Sequence, residues 1–223
     1  VAGHSLGEYS ALCAARAITL SDTARLLRTR GEAMQEAVPV GAGAMAALIG
    51  TDIEGAEKAI AETDAALGVC EIANDNAPGQ VVVSGAKARV EAVAEASKKH
   101  GAKMAKLLAV SAPFHSSLMA PAAATMAGAL SETLVKAPVV PLVANVTARE
   151  VDAPQEIRDL LVKQVTGRVR WTESVGYMAA NGADKFIEIG AGKVLSGLVK
   201  RIAKDATIIS VGEPADLDAF AKL

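Results

Sequence analysis

The chain has 223 residues, 51% of them hydrophobic and only 3% aromatic, with a formal charge of −2. That length accommodates one large domain or a domain carrying a smaller insertion, and so few aromatics imply a core of Ala, Val, Leu and Ile, which suits helices on a parallel sheet. The charge leaves no basic footprint for nucleic acid or an anionic membrane, and no apolar run of about 18 residues could span a bilayer, so a soluble cytoplasmic protein is expected.

The chain opens on VAGHSLGEYSAL. Val1 is neither an initiator methionine nor part of a leader peptide, and the expectation is that a segment precedes it. Gly3-His4-Ser5-Leu6-Gly7 fits G-x-S-x-G, a sharp strand-to-helix turn that exposes a serine and needs small neighbours. A helix from about Glu8 to Arg16 would aim its N-terminus at Ser5, favouring negative charge there, so the layout suits acyl transfer. A glycine-rich turn before a helix would fit the same five residues.

Ser21-Asp22 reads as a helix cap, and TARLLRTRGEAMQEA has helical periodicity up to Pro39, Gly41 and Gly43. Leu27, Gly31 and Met34 make an apolar stripe opposite Arg25, Arg28, Glu32 and Gln35, and Arg30 falls on that stripe. An inward cation needs a partner. A protein carboxylate in a buried ion pair, or a substrate carboxylate held in a bidentate clamp, would serve; spacing leaves both open.

The pattern then becomes strand (AMAALIG), helix (51–67), strand (VCEIAN), turn (NDNAPG), strand (QVVVSG), helix (86–100, closed by Gly101) and strand (KMAKLLAV). This β-α-β-β-α-β order predicts a ferredoxin-like subdomain over 44–110. Beyond it come a helix over about 116–134, a strand VVPLVANVT, helices near 154–165 and 171–181, a strand KFIEIG, a helix KVLSGLVKRIA and a strand TIISVG. The alternation predicts an α/β domain with a mostly parallel sheet, formed by 1–43 and 111–223. Gly190-Ala191-Gly192-Lys193 reads as a tight turn, since Val194 stands where a phosphate loop carries Ser or Thr.

A serine of ordinary pKa needs a base, and the chain has three histidines. His4 diverges from Ser5 at such a turn and suits a packing or supporting role. His100 closes a polar helix. His115, in SAPFHSSLM where the insertion hands back to the larger domain, is the best partner for Ser5, because joints between domains commonly form clefts; a buried or capping His115 is the alternative. Cys13 and Cys70 lack metal-ligand spacing and read as reduced, buried thiols.

GHSLGEYSAL, RTRGEAMQEAVPVGAGAMAA, NAPGQVVVSG, APFHSSLM and VRWTESVGYMAANG…FIEIGAGKVLSGL together resemble the malonyl-CoA:acyl carrier protein transacylases of bacterial type II fatty acid synthesis. The resemblance runs nearly end to end. It implies an α/β-hydrolase-like domain with a ferredoxin-like insertion, Ser5 as nucleophile, His115 as its base, Arg30 on the malonyl carboxylate, and the backbone carbonyl of Gln164 orienting the histidine. It implies the Leu6 N–H as one oxyanion donor. The family's second donor lies in a G-Q-G-x-Q loop ahead of the elbow, which 1–223 does not contain. Phe114 resembles the residue found in malonyl-using relatives. Malonyl-CoA and acyl carrier protein are the implied partners of a monomeric, cofactor-free and metal-free enzyme. A serine esterase or thioesterase, and a non-catalytic carrier-docking module, are the competing readings.

Overall fold

A computed structural model describes residues 1–221. Residues 1–3 run beside 141–143: the Val1 amino group donates to Pro141 O (2.8 Å) and Val143 N–H donates to Val1 O (2.9 Å), the pattern of one parallel bridge. The chain then turns at Ser5 into α1 (Leu6–Ala14). The next helix, α2 (Leu20–Glu36), is capped by Thr19, whose hydroxyl accepts from Asp22 N–H at 3.1 Å. The expected Ser21-Asp22 cap is thus displaced. Thr19 has the extended backbone that a cap requires (φ −75°, ψ 158°), whereas Ser21 already lies inside the first turn.

Helix α2 buries Thr23, Leu26, Arg30, Ala33 and Met34. Arg30 faces inward as expected, but the stripe runs through Leu26; Gly31 is exposed and Leu27 only half-buried. The buried face packs with α1, α5 (Ala120–Ser131) and α6 (Pro154–Thr166) around Tyr9, Leu12, Met126, Leu130, Ile157 and Leu161. Each such side chain contributes about 1.5–3 kcal/mol by leaving water.

Residues 43–107 fold as β1 (Gly43–Ile49), α3 (Ile53–Glu62), β2 (Cys70–Ala77), β3 (Gln80–Ala86), α4 (Lys87–Ala96) and β4 (Met104–Leu107). The strands lie in the order β4-β1-β3-β2, all antiparallel, over a core that includes Leu48, Val81, Val83, Val90 and Val93. The expected 51–67 helix is shorter, because Asp52 caps it and the chain leaves the helix at Thr63 before a separate turn at Ala65–Leu67. The NDNAPG segment is not all turn: β2 continues to Ala77, and only Pro78 and Gly79 (φ 72°) make the bend.

Beyond α5, the expected strand VVPLVANVT is confined to β5 (Leu142–Val143), which doubles back onto β6 (Glu150–Val151) through a turn with Ala148 at φ 53°. After α6, β7 (Val169–Arg170) joins the sheet parallel to β2, making it five-stranded and mixed. Helix α7 (Trp171–Ala180), β8 (Lys185–Ile189), α8 (Val194–Ile202) and β9 (Thr207–Val211) follow, with β8 and β9 a parallel pair. The larger part does not hold one continuous sheet: among the described residues only its β5·β6 pair is antiparallel, and its strands lie in separate sheets. Among the described residues, its parallel pairing is limited to β8·β9, the Val1·Leu142 bridge and the β7 edge. Gly190 (φ 140°) and Gly192 (φ 87°) form the tight turn expected between β8 and α8. Helix α9 (Leu217–Phe220) closes the described chain. No described helix is long and apolar enough to cross a membrane.

The displaced cap is testable by urea unfolding. Thr19→Ala should lower the unfolding free energy by about 1 kcal/mol and Ser21→Ala by less than about 0.5 kcal/mol. The reverse order would return the cap to Ser21.

Candidate active site

Ser5 sits at the hinge between the bridged segment and α1 with φ 51° and ψ −107°, a conformation that L-residues avoid. Neighbours hold it there. Its N–H donates to Asn145 Oδ1 at 2.7 Å, and its carbonyl accepts from Gln164 Nε2 at 2.9 Å. Asn145 in turn donates through Nδ2 to Gly3 O at 2.7 Å. Gly3 is required by close approach: a Cβ there would lie 1.9 Å from Gly7 O, whereas one on Gly7 would meet nothing within 4 Å. Only the first glycine of the motif is sterically demanded. The Leu6 N–H, first of α1, makes no hydrogen bond among the described residues and points from the helix start beside Ser5.

His115 comes from the turn before α5. It too has a positive φ, 57°, within a bend tied by Phe114 N–H to Ala112 O and Ser116 Oγ to Pro113 O. Its Nε2 lies 2.7 Å from Ser5 Oγ. On the other side, Nδ1 lies 2.9 Å from Gln164 O and 3.1 Å from Gly167 O. Carbonyls only accept, so the proton of a neutral ring must sit on Nδ1, which leaves the Nε2 lone pair facing the serine hydroxyl. Burial first, and then the Arg30 charge, push the His115 pKa down to about 3. The imidazole is thereby neutral and free to accept a proton at physiological pH.

Arg30 reaches the same oxygen from α2. Its Nη2 donates to Ser5 Oγ at 2.9 Å and to Gln164 Oε1 at 3.0 Å. Arg30 as a residue is 7% exposed, and its guanidinium forms no ion pair within 4 Å among the described residues. Its Nε is buried with no acceptor. The ion-pair alternative for this residue is therefore absent, and the cation is left with donors to spend. Burial lowers its pKa from the usual value, but a guanidinium stays charged.

The groups expected at His115 and Arg30 thus meet at the Ser5 hydroxyl, and the Gln164 carbonyl stands behind the His115 ring. Sequence reasoning missed Asn145, the Gly167 carbonyl, the Gln164 side chain and Glu8. Glu8 is 1% exposed, and its Oε2 accepts from Gln164 Nε2 at 2.7 Å and Asn145 N–H at 3.2 Å. Its carboxyl is pushed up to about 7 by burial, against those hydrogen bonds and the Arg30 charge. A signal existed: Glu8 shares one helix face with Ala11, Leu12 and Ala15, all buried, the same pattern that marked Arg30. His4 takes the supporting role expected of it. Its Nε2 pairs with Asn76 Oδ1 on β2 at 2.8 Å, and its ring meets Trp171 edge-on with centroids 5.5 Å apart. His100 pairs with Glu62 at 2.7 Å on the surface, while Cys13 and Cys70 are free thiols, Cys70 buried.

A cleft of about 490 Å³ opens beside His115, between Glu71 and Ile72 of the 43–107 unit and Ser117, Thr166 and Arg168 of the rest. Chemically, the arrangement offers a hydroxyl with an adjacent neutral base, a cation able to stabilise an alkoxide or bind an anion, and access for a ligand.

The model of the acyl transferase domain family matches residues 1–215. The malonyl CoA-acyl carrier protein transacylase of Escherichia coli (strain K12) is 48% identical over 223 residues, covering 100% of this chain and 72% of that protein. The solved acyl-carrier-protein-S-malonyltransferase from Bartonella henselae superposes with a TM-score of 0.95 at 55% identity, covering 100% of this chain and 70% of that one. A malonyl-transacylase solved in complex with a type II PKS acyl-carrier protein superposes with a TM-score of 0.94 at 44% identity, covering 98% and 70%.

The electrostatics of His115 can be read by NMR. Its ring signals, assigned by their loss in His115→Asn, should not titrate between about pH 8 and about pH 5, whereas an exposed imidazole has its midpoint near 6.5. A midpoint near 6.5 for His115 would contradict a buried neutral base.

Proposed function

The chain belongs to the acyl transferase domain family, and on that premise we propose that it transfers malonyl from malonyl-CoA to the thiol of acyl carrier protein by way of an ester on Ser5. The relatives at 48% and 55% identity carry this activity in their names, and one solved relative is bound to a carrier protein. The observation that carries the reading is the Arg30 guanidinium: a buried cation with an unspent Nε, no protein carboxylate, and a hydrogen bond to Ser5 Oγ. A substrate with a free carboxylate near its thioester carbonyl satisfies that cation and brings the carbonyl to the hydroxyl.

In the acylation half, Arg30 binds the malonyl carboxylate and Ser5 Oγ attacks the thioester carbonyl while His115 Nε2 takes the hydroxyl proton. The developing imidazolium is held by its Nδ1–H on the Gln164 and Gly167 carbonyls. Negative charge on the carbonyl oxygen is met by the Leu6 N–H at the start of α1. Collapse breaks the C–S bond, and the proton on His115 passes to the departing CoA sulfur. In the second half the carrier thiol gives its proton to His115 and attacks the malonyl-serine ester, and Ser5 recovers its proton as it leaves. No electrons are exchanged, so the chemistry calls for no redox cofactor. The esterase alternative would want a carboxylate behind the histidine; the acceptors there are carbonyls.

The same reading assigns 44–110 as a ferredoxin-like subdomain inserted in an α/β-hydrolase-like domain of 1–43 and 111–223. Support comes from the strand order β4-β1-β3-β2 and from the strand, strained serine and helix succession at Ser5. Discrimination against methylmalonyl by Phe114, a cytoplasmic location and a monomeric state belong to the proposal on family grounds.

Steady-state transfer to pantetheinylated acyl carrier protein tests the role of Arg30. Arg30→Ala should depress malonyl transfer about 10- to 100-fold more than acetyl transfer, the range expected for a lost charge-assisted hydrogen bond. Equal losses with the two acyl groups would make Arg30 a structural residue.

A further inference from the structure

Among the described residues Glu8 is the one buried acid in contact with this site, and nothing in the transfer chemistry uses it. It lies in the first turn of α1, 1% exposed, with no Lys or Arg within ion-pair distance among the described residues. Both of its hydrogen bonds fall on Oε2, from Gln164 Nε2 at 2.7 Å and from Asn145 N–H at 3.2 Å. A carboxyl group buried without a counter-ion is costly unless its contacts do something for the fold or the site.

We infer that Glu8 is a positioning residue that sets the preference for a carboxylate-bearing acyl group, by fixing how the Gln164 amide presents itself to Arg30. The inference rests on Arg30 being the carboxylate clamp. The two N–H groups of Gln164 Nε2 are committed to Glu8 Oε2 and Ser5 O, at 2.7 and 2.9 Å, and both partners are acceptors there. Gln164 Oε1 is then turned to the guanidinium, where it takes Nη2 at 3.0 Å. An amide rotated half a turn would set its NH2 against a group that only donates and its oxygen against the Glu8 oxygen. Nη2 is thereby tied between Ser5 Oγ and Gln164 Oε1, and Nη1, which makes no hydrogen bond among the described residues, is the donor left for a substrate carboxylate. The His115 tautomer does not depend on Glu8, because the Gln164 and Gly167 carbonyls that hold Nδ1 belong to the backbone at the end of α6. Loss of the Glu8 grip therefore spares the His115 tautomer; through the Gln164 and Asn145 ties to Ser5 it slows both acyl groups alike, while through the clamp it slows malonyl alone, so the malonyl-to-acetyl ratio isolates the clamp.

Two conservative substitutions separate geometry from charge. Glu8→Gln keeps an oxygen at the same reach, able to accept both existing hydrogen bonds, and removes the charge. Glu8→Asp keeps the charge but draws the acceptor back by about one C–C bond, roughly 1.5 Å. The readout is the ratio of initial rates of Ser5 loading from malonyl-CoA and from acetyl-CoA, followed by intact mass, with the melting temperature measured for each variant. The ratio in Glu8→Gln should stay within about threefold of the parent, and in Glu8→Asp it should fall at least about tenfold through slower malonyl loading. Any other pattern overturns the inference: the reverse order assigns Glu8 a charge role, and a ratio preserved in both assigns it to the scaffold, as does equal slowing with both acyl groups. Collapse of the ratio in both variants also refutes a role resting on reach. Arg30→Ala is run alongside. A ratio unchanged by Arg30→Ala defeats the clamp itself, whereas a ratio that collapses there but survives Glu8→Asp defeats only the role given to Glu8.

Discussion

The site depends on keeping Ser5 in a backbone conformation that costs on the order of 1–3 kcal/mol. No residue of the motif does this alone. Gly3 allows the chain to pass against Gly7 O, Asn145 ties the Ser5 N–H and the Gly3 carbonyl, and Gln164 ties the Ser5 carbonyl. Three hydrogen bonds worth about 1 kcal/mol each are of the size needed to offset the strain. The consequence is a hydroxyl held away from its own helix, where groups from distant parts of the chain converge on it. His115, from the turn before α5, also has a positive φ, so both members of the pair are held in conformations imposed by their surroundings.

Charge is arranged so that His115 stays neutral and Arg30 stays charged near neutral pH. The Arg30 cation raises the cost of a second positive charge nearby, and with burial it holds His115 neutral. The same cation favours ionised Glu8, yet burial dominates and leaves that carboxyl near 7. Hydrogen bonds from Gln164 and Asn145 make an unpaired acid tolerable without drawing it onto Arg30. Had Glu8 reached the guanidinium directly, the clamp would have been filled by the protein itself.

Much of this was legible in the sequence where the signal was local. The elbow and the inward Arg30 rest on spacing over a few residues, the β-α-β-β-α-β order on the periodicity within each successive element, and His115 on elimination among three histidines, and Ser5, Arg30 and His115 meet in the fold. The orienting carbonyl of Gln164 came only through family resemblance, since no spacing rule places residue 164 beside residue 115. Asn145 and the side chain of Gln164 act across more than a hundred residues of sequence, and nothing at either position distinguishes them from ordinary loop or helix polar groups. Glu8 could have been found, because an acid on the face of Ala11, Leu12 and Ala15 breaks the apolar pattern as Arg30 does. The misread elements have local causes of their own: Thr19 outcompetes Ser21 by backbone conformation, and VVPLVANVT folds back on itself where a single strand was expected.

The central claim is that the hydroxyl gathered between His115 and Arg30 becomes the acyl carrier during turnover. Incubation with malonyl-CoA in the absence of carrier protein, followed by proteolysis and mass spectrometry, tests it most directly. The account predicts one malonyl group on the peptide containing Ser5 and none in Ser5→Ala. A malonyl group on another peptide, or labelling that survives Ser5→Ala, would contradict it.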